Sequence, residues 1–328
     1  MTGRTLKKQF PRPVVVTSKC FEFDACRYNG QMIPNNFVQR LEPFVDFRPV
    51  CPEVEIGLGI PRDPVRVVNK KGDRKLVQPS TGRDLTSLMR SFSEKHLNSL
   101  SHVDGFILKS RSPSCGLKDA KEFPNADSEI ATGKGPGLFA EKVLKRFPGL
   151  AVEDEGRLRN FRIREHFLTK LYTLARFREV KRKGASGELV RFHTENKLLL
   201  MSYNQKEMRE LGKITANMGR KPSSEVIAEY GERLHHAFAN VSRRPSNINV
   251  LMHALGYFSD KLTGREKAYF LDLLESYRSG KIPLSAVLTV LESWIVKYEE
   301  EYLARQTFFE PYPPELIDIG DSGKGRAI

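Results

Sequence analysis

Two rhythms of apolar residues divide this chain. From residue 13 to about 155, short β-branched runs alternate with helical stripes. Val14–Thr17 predicts a strand, because branched side chains favour extended backbone. Ile33–Leu41 predicts a short helix after Pro34, and Phe44–Val50 and Val65–Val68 predict further strands. Leu85, Leu88, Met89, Phe92 and Leu97 recur near helical spacing, so 84–100 reads as a helix with Asp84 as its cap. Val103–Leu108 is a buried-type strand, Gly137–Phe147 a helix stopped by Pro148-Gly149, and Leu150–Val152 a last short strand. Such alternation predicts an α/β domain whose sheet is mostly parallel.

Past Asp154-Glu155-Gly156 the strand signals stop. Phe161, Phe167, Leu168, Leu171, Leu174 and Phe177 form a helical stripe, and Lys183–Gly187 reads as a loop. Helices are expected over 198–211, 226–238, 249–262, 267–277 and 286–302, giving an all-α bundle. The predicted organisation is a leader at 1–12, an α/β domain at 13–155, a helical domain at 156–310 and a partly disordered tail at 311–328.

Composition narrows the class of protein. Hydrophobic residues make up 39% and charged residues 29%, ordinary for a globular chain. No secretory signal pattern opens the sequence, and no run reaches the ~18 apolar residues of a membrane helix, so a cytoplasmic protein is expected. The net charge of +14 favours anionic partners: nucleotides, phosphorylated small molecules or nucleic acid. The excess is spread over both halves and forms no like-charge block, which argues against a basic tail.

The candidate chemistry lies in the cysteines. There are four in 328 residues, too few for a secreted disulfide framework. Cys20, Cys51 and Cys115 each follow a predicted strand. If those strands are parallel, the three thiols emerge at one carboxyl edge, where open α/β folds build sites. Thiolates select zinc, copper(I) or iron–sulfur clusters. The paired Cys-x-x-Cys spacing of zinc fingers is absent, and ligands scattered over three loops suit a cluster with a free coordination position. Three unrelated buried thiols remain the alternative on spacing alone.

The contexts of these cysteines carry a resemblance. Ser18-Lys19-Cys20, Arg27-Tyr28-Asn29-Gly30, Cys51-Pro52-Glu53 with Gly57-Leu58-Gly59-Ile60-Pro61-Arg62, and Ser112-Pro113-Ser114-Cys115-Gly116 occur in order. The chain resembles a thiouracil desulfidase domain over 13 to about 153, fused to a YbgA-like helical domain. The helical part matches at Leu158-Arg159-Asn160, Phe192-His193-Thr194, Lys197–Met201, Asn249-Val250-Leu251, Gly256-Tyr257-Phe258 and 311–316. The resemblance implies a 4Fe-4S cluster held by Cys20, Cys51 and Cys115. It implies non-redox, hydrolytic removal of sulfur from thiouracil or 4-thiouridine monophosphate, giving the oxo base and hydrogen sulfide. Glu53, two residues from a ligand, is the candidate base or proton shuttle, and Ser112 is a second catalytic candidate that orients the base or relays a proton. Ser18 and Ser114 are candidates for hydrogen bonds around substrate and cluster sulfur, Tyr28 for stacking on a pyrimidine and Arg27 for its phosphate.

Two departures stand out. Phe21-Glu22-Phe23-Asp24 replaces the leucines and glycine common in the family, which bears on substrate choice. Cys26 stands where cysteine is unusual and reads either as a bystander thiol or as a fourth ligand that would close the site. The histidines of the helical half show no metal-enzyme pairing and read as structural. The helical half is also a candidate for RNA contact. The competing functional class is a nucleic-acid-binding or interaction protein with a structural or sensory cluster, which steep salt dependence without sulfide release would reveal.

Overall fold

The computed structural model describes residues 8–320, so the first seven residues of the expected leader and the last eight of the expected tail lie outside it. The chain divides into two compact units. One comprises Arg12–Ala175 with the segment from Glu315, and the other Arg176–Pro314 with the segment up to Pro11. The first is α/β and the second is mostly helical, the order expected from the apolar rhythms. No described helix is long and apolar enough to cross a membrane.

In the α/β unit, β1 (Val14–Ser18) leads through α1 (Asn36–Leu41) to β2 (Asp46–Val50) and α2 (Pro52–Glu55). A run of short strands follows: β3 (Arg66–Lys70), β4 (Asp73–Gln78) and β5 (Arg83–Asp84). Then come α3 (Thr86–Ser99), β6 (Gly105–Leu108), β7 (Ala120–Phe123), β8 (Gly133–Gly135), α4 (Leu138–Arg146) and β9 (Ala151–Asp154). Strands β2-β1-β6-β9 form one wholly parallel sheet, with Ser18 opposite Val50, Thr17 opposite Ile107, and Leu108 opposite Asp154. Strands β1 and β6 are buried along their whole length, as central parallel strands must be. Pro49 is tolerated in β2 because that strand lies at the sheet's edge.

A second sheet, β5-β4-β3-β7-β8, was not expected from the sequence. Only its β3–β7 pair is parallel. Strands β3 and β4 form a hairpin through Lys71 and Gly72, both at positive φ, the backbone that a tight two-residue hairpin turn requires. The apolar strand residues Val16, Phe106 and Leu108 of the parallel sheet and Val67 and Leu76 of the mixed one share a core with Met89 of α3 and Phe139 and Val143 of α4. Helix α3 starts two residues later than predicted. Asp84 pairs in β5, yet its carboxylate still accepts the Thr86 amide at 2.9 Å.

Helix α5 (Phe161–Lys183) contains the division between the units. The helical unit continues with α6 (Ser186–Tyr203), α7 (Gln205–Ala216), α8 (Ser223–Ala237), α9 (Arg244–Gly256), α10 (Gly264–Arg278), α11 (Leu284–Lys297) and α12 (Glu301–Arg305). Two predicted helices are each split. The one expected over 198–211 breaks at Asn204, whose side chain caps α7 by accepting the Glu207 amide. The one expected over 286–302 breaks before α12, where Glu299 takes a positive φ of 51°. The loop expected at 183–187 shrinks to Gly184-Ala185, with Gly184 at φ 65°.

Candidate metal centre

The parallel register brings the ends of β1, β2 and β6 to one edge. Cys20 lies two residues past β1, Cys51 immediately follows β2 and opens α2, and Cys115 sits on the loop between β6 and β7. All three, and Cys26, line one cavity of about 400 Å³. Cys26 is fully buried, and its carbonyl accepts from the Cys51 thiol at 3.7 Å. None of the four is in a disulfide.

The surroundings keep Cys26, Cys51 and Cys115 protonated. Cys26 is pushed up to about 11, first by its contact with Cys20 and then by burial. Cys51 is pushed up by Cys26 and by burial. Burial pushes Cys115 up to about 12, against hydrogen bonds from Ser18 and Ser112 that act in the opposite direction. Such thiols bind a metal by giving up their protons to it. Among the described residues, no three or more His, Cys, Asp or Glu side chains are already arranged about a single ion point. The donor set is sulfur with no imidazole, which suits soft metals, and a multi-iron cluster distributes its ligands over separate irons.

The loop bearing Cys115 is held rigidly. Ser112 Oγ accepts the amides of Ser114 at 3.2 Å and Cys115 at 3.0 Å, a serine turn that fixes the thiol. The otherwise unsatisfied first-turn amides of α4 are used here: Leu138 donates to the Pro113 carbonyl, and Phe139 and Ala140 donate to that of Ser114. Gly137 lies so close that a Cβ would come within 2.4 Å of the Ser114 carbonyl carbon. Ser18, buried at the end of β1, accepts the Lys109 amide at 2.9 Å and so ties β1 to the start of the same loop.

Glu53 stands over the cavity on α2, with both carboxylate oxygens engaged. Arg62 donates to Oε2 from Nε at 3.1 Å and Nη2 at 2.7 Å, and Ser114 Oγ donates to Oε1 at 2.9 Å. Both members of this ion pair are largely buried, at 5% exposure for Arg62 and 12% for Glu53. The third guanidinium nitrogen donates to the Cys26 carbonyl at 3.0 Å. The Arg62–Glu53 pairing is not readable from spacing, because the end of α2 and a loop lie between positions 53 and 62.

Of the nine candidate site residues, all but Ser114 line the cavity. Ser114 is fully buried behind Glu53. At the mouth, Tyr28 is 43% exposed, with the Arg27 guanidinium 5.5 Å from its ring. Tyr28, Arg111 and Pro113 also line an adjoining groove of about 860 Å³. Its walls carry Lys118, Lys121, Lys134, Arg66 and Arg157 against Asp119 and Asp154. Three of these basic residues, Arg66, Lys121 and Lys134, come from the mixed sheet. Arg157 is committed to Glu153 at 2.8 Å, and Arg66 lies 4.8 Å over the Phe123 ring. The unusual Phe21–Asp24 stretch is braced: Phe21 is fully buried, Glu22 accepts the Asn35 amide, and Lys19 pairs with Asp24 at 2.8 Å.

Comparison with known proteins covers both units. Residues 15–155 match the family described as 2-thiouracil desulfurase, and residues 197–313 match a family of unknown function, DUF1722. The uncharacterized protein YbgA of Escherichia coli (strain K12) is 28% identical over 158 residues, 48% of this chain and 93% of YbgA. The uncharacterized protein YbbK of Bacillus subtilis (strain 168) is 28% identical over 110 residues, 31% of this chain and 73% of YbbK. The solved structure of the 4Fe-4S-dependent thiouracil desulfidase TudS is 25% identical, with a TM-score of 0.37, covering 45% of this chain and 93% of that one. The chain thus joins an N-terminal region that matches the 2-thiouracil desulfurase family to a C-terminal region that matches DUF1722.

Proposed function

We propose that the protein is a desulfidase that exchanges the sulfur of a thiolated uracil compound for oxygen, with Cys20, Cys51 and Cys115 holding a 4Fe-4S cluster. The observation that carries this reading is the convergence of strand-end thiols on a cavity faced by a buried carboxylate–guanidinium pair. The all-sulfur donor set fits the cluster. When bound, the cluster would supply a soft Lewis acid for the thiocarbonyl sulfur.

The protein's part is to bind, orient and move protons. The reaction adds water at the ring carbon and releases hydrogen sulfide, so no electron changes hands. Glu53 takes a proton from the attacking water and returns it to the departing sulfur. Arg62 and Ser114 fix the direction in which that carboxylate points. Ser112 keeps the Cys115 thiol in place through its turn. The Tyr28 ring offers a face for the pyrimidine, and Arg27 beside it a charge for a phosphate. The adjoining cationic groove favours a nucleotide over a free base and gives a thiouridine-bearing RNA somewhere to lie.

The test is anaerobic reconstitution with iron and sulfide, followed by incubation with 2-thiouracil, 4-thiouridine monophosphate and thiouridine-bearing RNA in parallel. Loss of thiocarbonyl absorbance matched by sulfide release is the expected result. Fully loaded protein that turns over none of the three would overturn the proposal. RNA binding that weakens steeply with salt, without sulfide, would instead favour a binding protein.

A further inference from the structure

The cavity holds one more thiol than the proposed reaction uses. Cys26 is fully buried, and its contacts are the wrong ones for a bystander. An inert buried cysteine packs as a small hydrophobe among apolar neighbours. Cys26 instead lines one cavity with the thiols of Cys20 and Cys51, two of the three assigned ligands. The chain brings it there by construction. After β1 the loop folds back through the Asp24 amide on the Lys19 carbonyl at 3.0 Å, closed by the Lys19–Asp24 ion pair. That fold returns position 26 to the cavity that Cys20 lines. The Cys26 carbonyl is then pinned from two sides, by Arg62 Nη1 at 3.0 Å and by the Cys51 thiol at 3.7 Å. Its backbone is therefore tied to the same guanidinium that holds Glu53.

Resting on the desulfidase reading, we infer that Cys26 is an exchangeable fourth thiolate, bonded to the iron without a protein ligand in the resting protein and displaced by substrate sulfur. A permanent fourth thiolate would leave no position for substrate. Exchange needs only rotation about the Cα–Cβ bond, since the pinned carbonyl stays in place. The balance is simple. On ligation the thiol loses its proton and a sulfur–iron bond forms. On displacement that bond breaks and the thiolate regains a proton. The device covers the reactive iron until a thiocarbonyl competes for it.

The experiment compares wild type with Cys26→Ser and Cys26→Ala, each reconstituted anaerobically and checked for folding by circular dichroism. Iron and acid-labile sulfide per chain, the low-temperature electron paramagnetic resonance spectrum of the reduced cluster, and its survival in air are measured. The variants are expected to load as wild type does. Their spectra should differ from wild type and shift on adding a small thiol, which wild type should resist, and iron should be lost in air several-fold faster. Superposable spectra and equal air survival would overturn the inference. Failure of both folded variants to load would make Cys26 an obligatory ligand and overturn the exchange. Zinc in place of iron in wild type would overturn both readings. A Cys26-dependent spectrum in loaded protein that releases no sulfide from any thiolated substrate would sustain the fourth ligand while sinking the desulfidase.

Discussion

Strands β1 and β6 of the parallel sheet are buried from end to end, whereas β4 of the mixed sheet, Asp73-Arg74-Lys75-Leu76-Val77-Gln78, opens with three charged residues and is buried only at Leu76 and Gln78. The first sheet delivers the strand ends after which Cys20, Cys51 and Cys115 stand, and the second delivers Arg66, Lys121 and Lys134 to the adjoining groove. Soft chemistry and charge are thus supplied by different sheets. A parallel sheet buried on both faces has little room for charge except at its edge. A mixed sheet with exposed positions can carry lysines along its strands at no such cost. On the proposed function, this difference makes the reaction and the recognition of an anionic substrate separable by mutation.

The largest expected effect falls at the parallel edge. Cys51→Ala or Cys115→Ala should abolish cluster loading, read as iron and labile sulfide content. Retention of a full cluster in either would end the division of labour, because the strand-end thiols would then not be the ligands. Glu53→Gln should load normally yet slow turnover by about 100-fold, measured as kcat for sulfide release under saturating substrate. The mixed sheet has its own buried ion pair: Glu122 accepts from Arg74 at 2.8 Å and from Asn69 at 2.7 Å. Glu122→Gln leaves that arginine partly uncompensated and should cost about 3 kcal/mol of stability, seen as a lowered Tm. Cluster content per folded chain should be unchanged, and a lost cluster would couple the two sheets. The smallest effect belongs to the groove. Lys118→Ala with Lys134→Ala should raise KM a few-fold for the nucleotide and leave the free base unaffected, with the nucleotide preference shrinking in high salt. Equal effects on both substrates would remove the groove from recognition.

The same contrast explains what could be read before the structure. Val14-Val15-Val16 and Phe106-Ile107-Leu108 announce strands because a buried parallel strand is a continuous apolar run. Once those strands are parallel, the positions of Cys20, Cys51 and Cys115 at one edge follow. Strand β8, Gly133-Lys134-Gly135, and β7, Ala120-Lys121-Glu122-Phe123, carry no comparable signal. Their existence depends on partners far away in the chain, as with Lys121 opposite Lys134. The Lys71-Gly72 turn was the one local cue to the hairpin. In the helical unit the periodicity located most helices but ran through Asn204, whose cap ends the pattern by a side-chain hydrogen bond that periodicity does not encode. At the site, Cys26 and Arg62 were visible as residues but not as partners, because their meeting depends on how two loops close.

Gly137 has no functional group, yet its backbone is wedged against the Pro113–Ser114 peptide while the next three amides grip the carbonyls of that loop. A single added methyl there must push on the turn that carries Cys115. In a survey of tolerated substitutions, this glycine should be as unforgiving as the cysteines. A map of intolerance drawn without the structure would place a functional residue just before α4 where there is only a shortage of room.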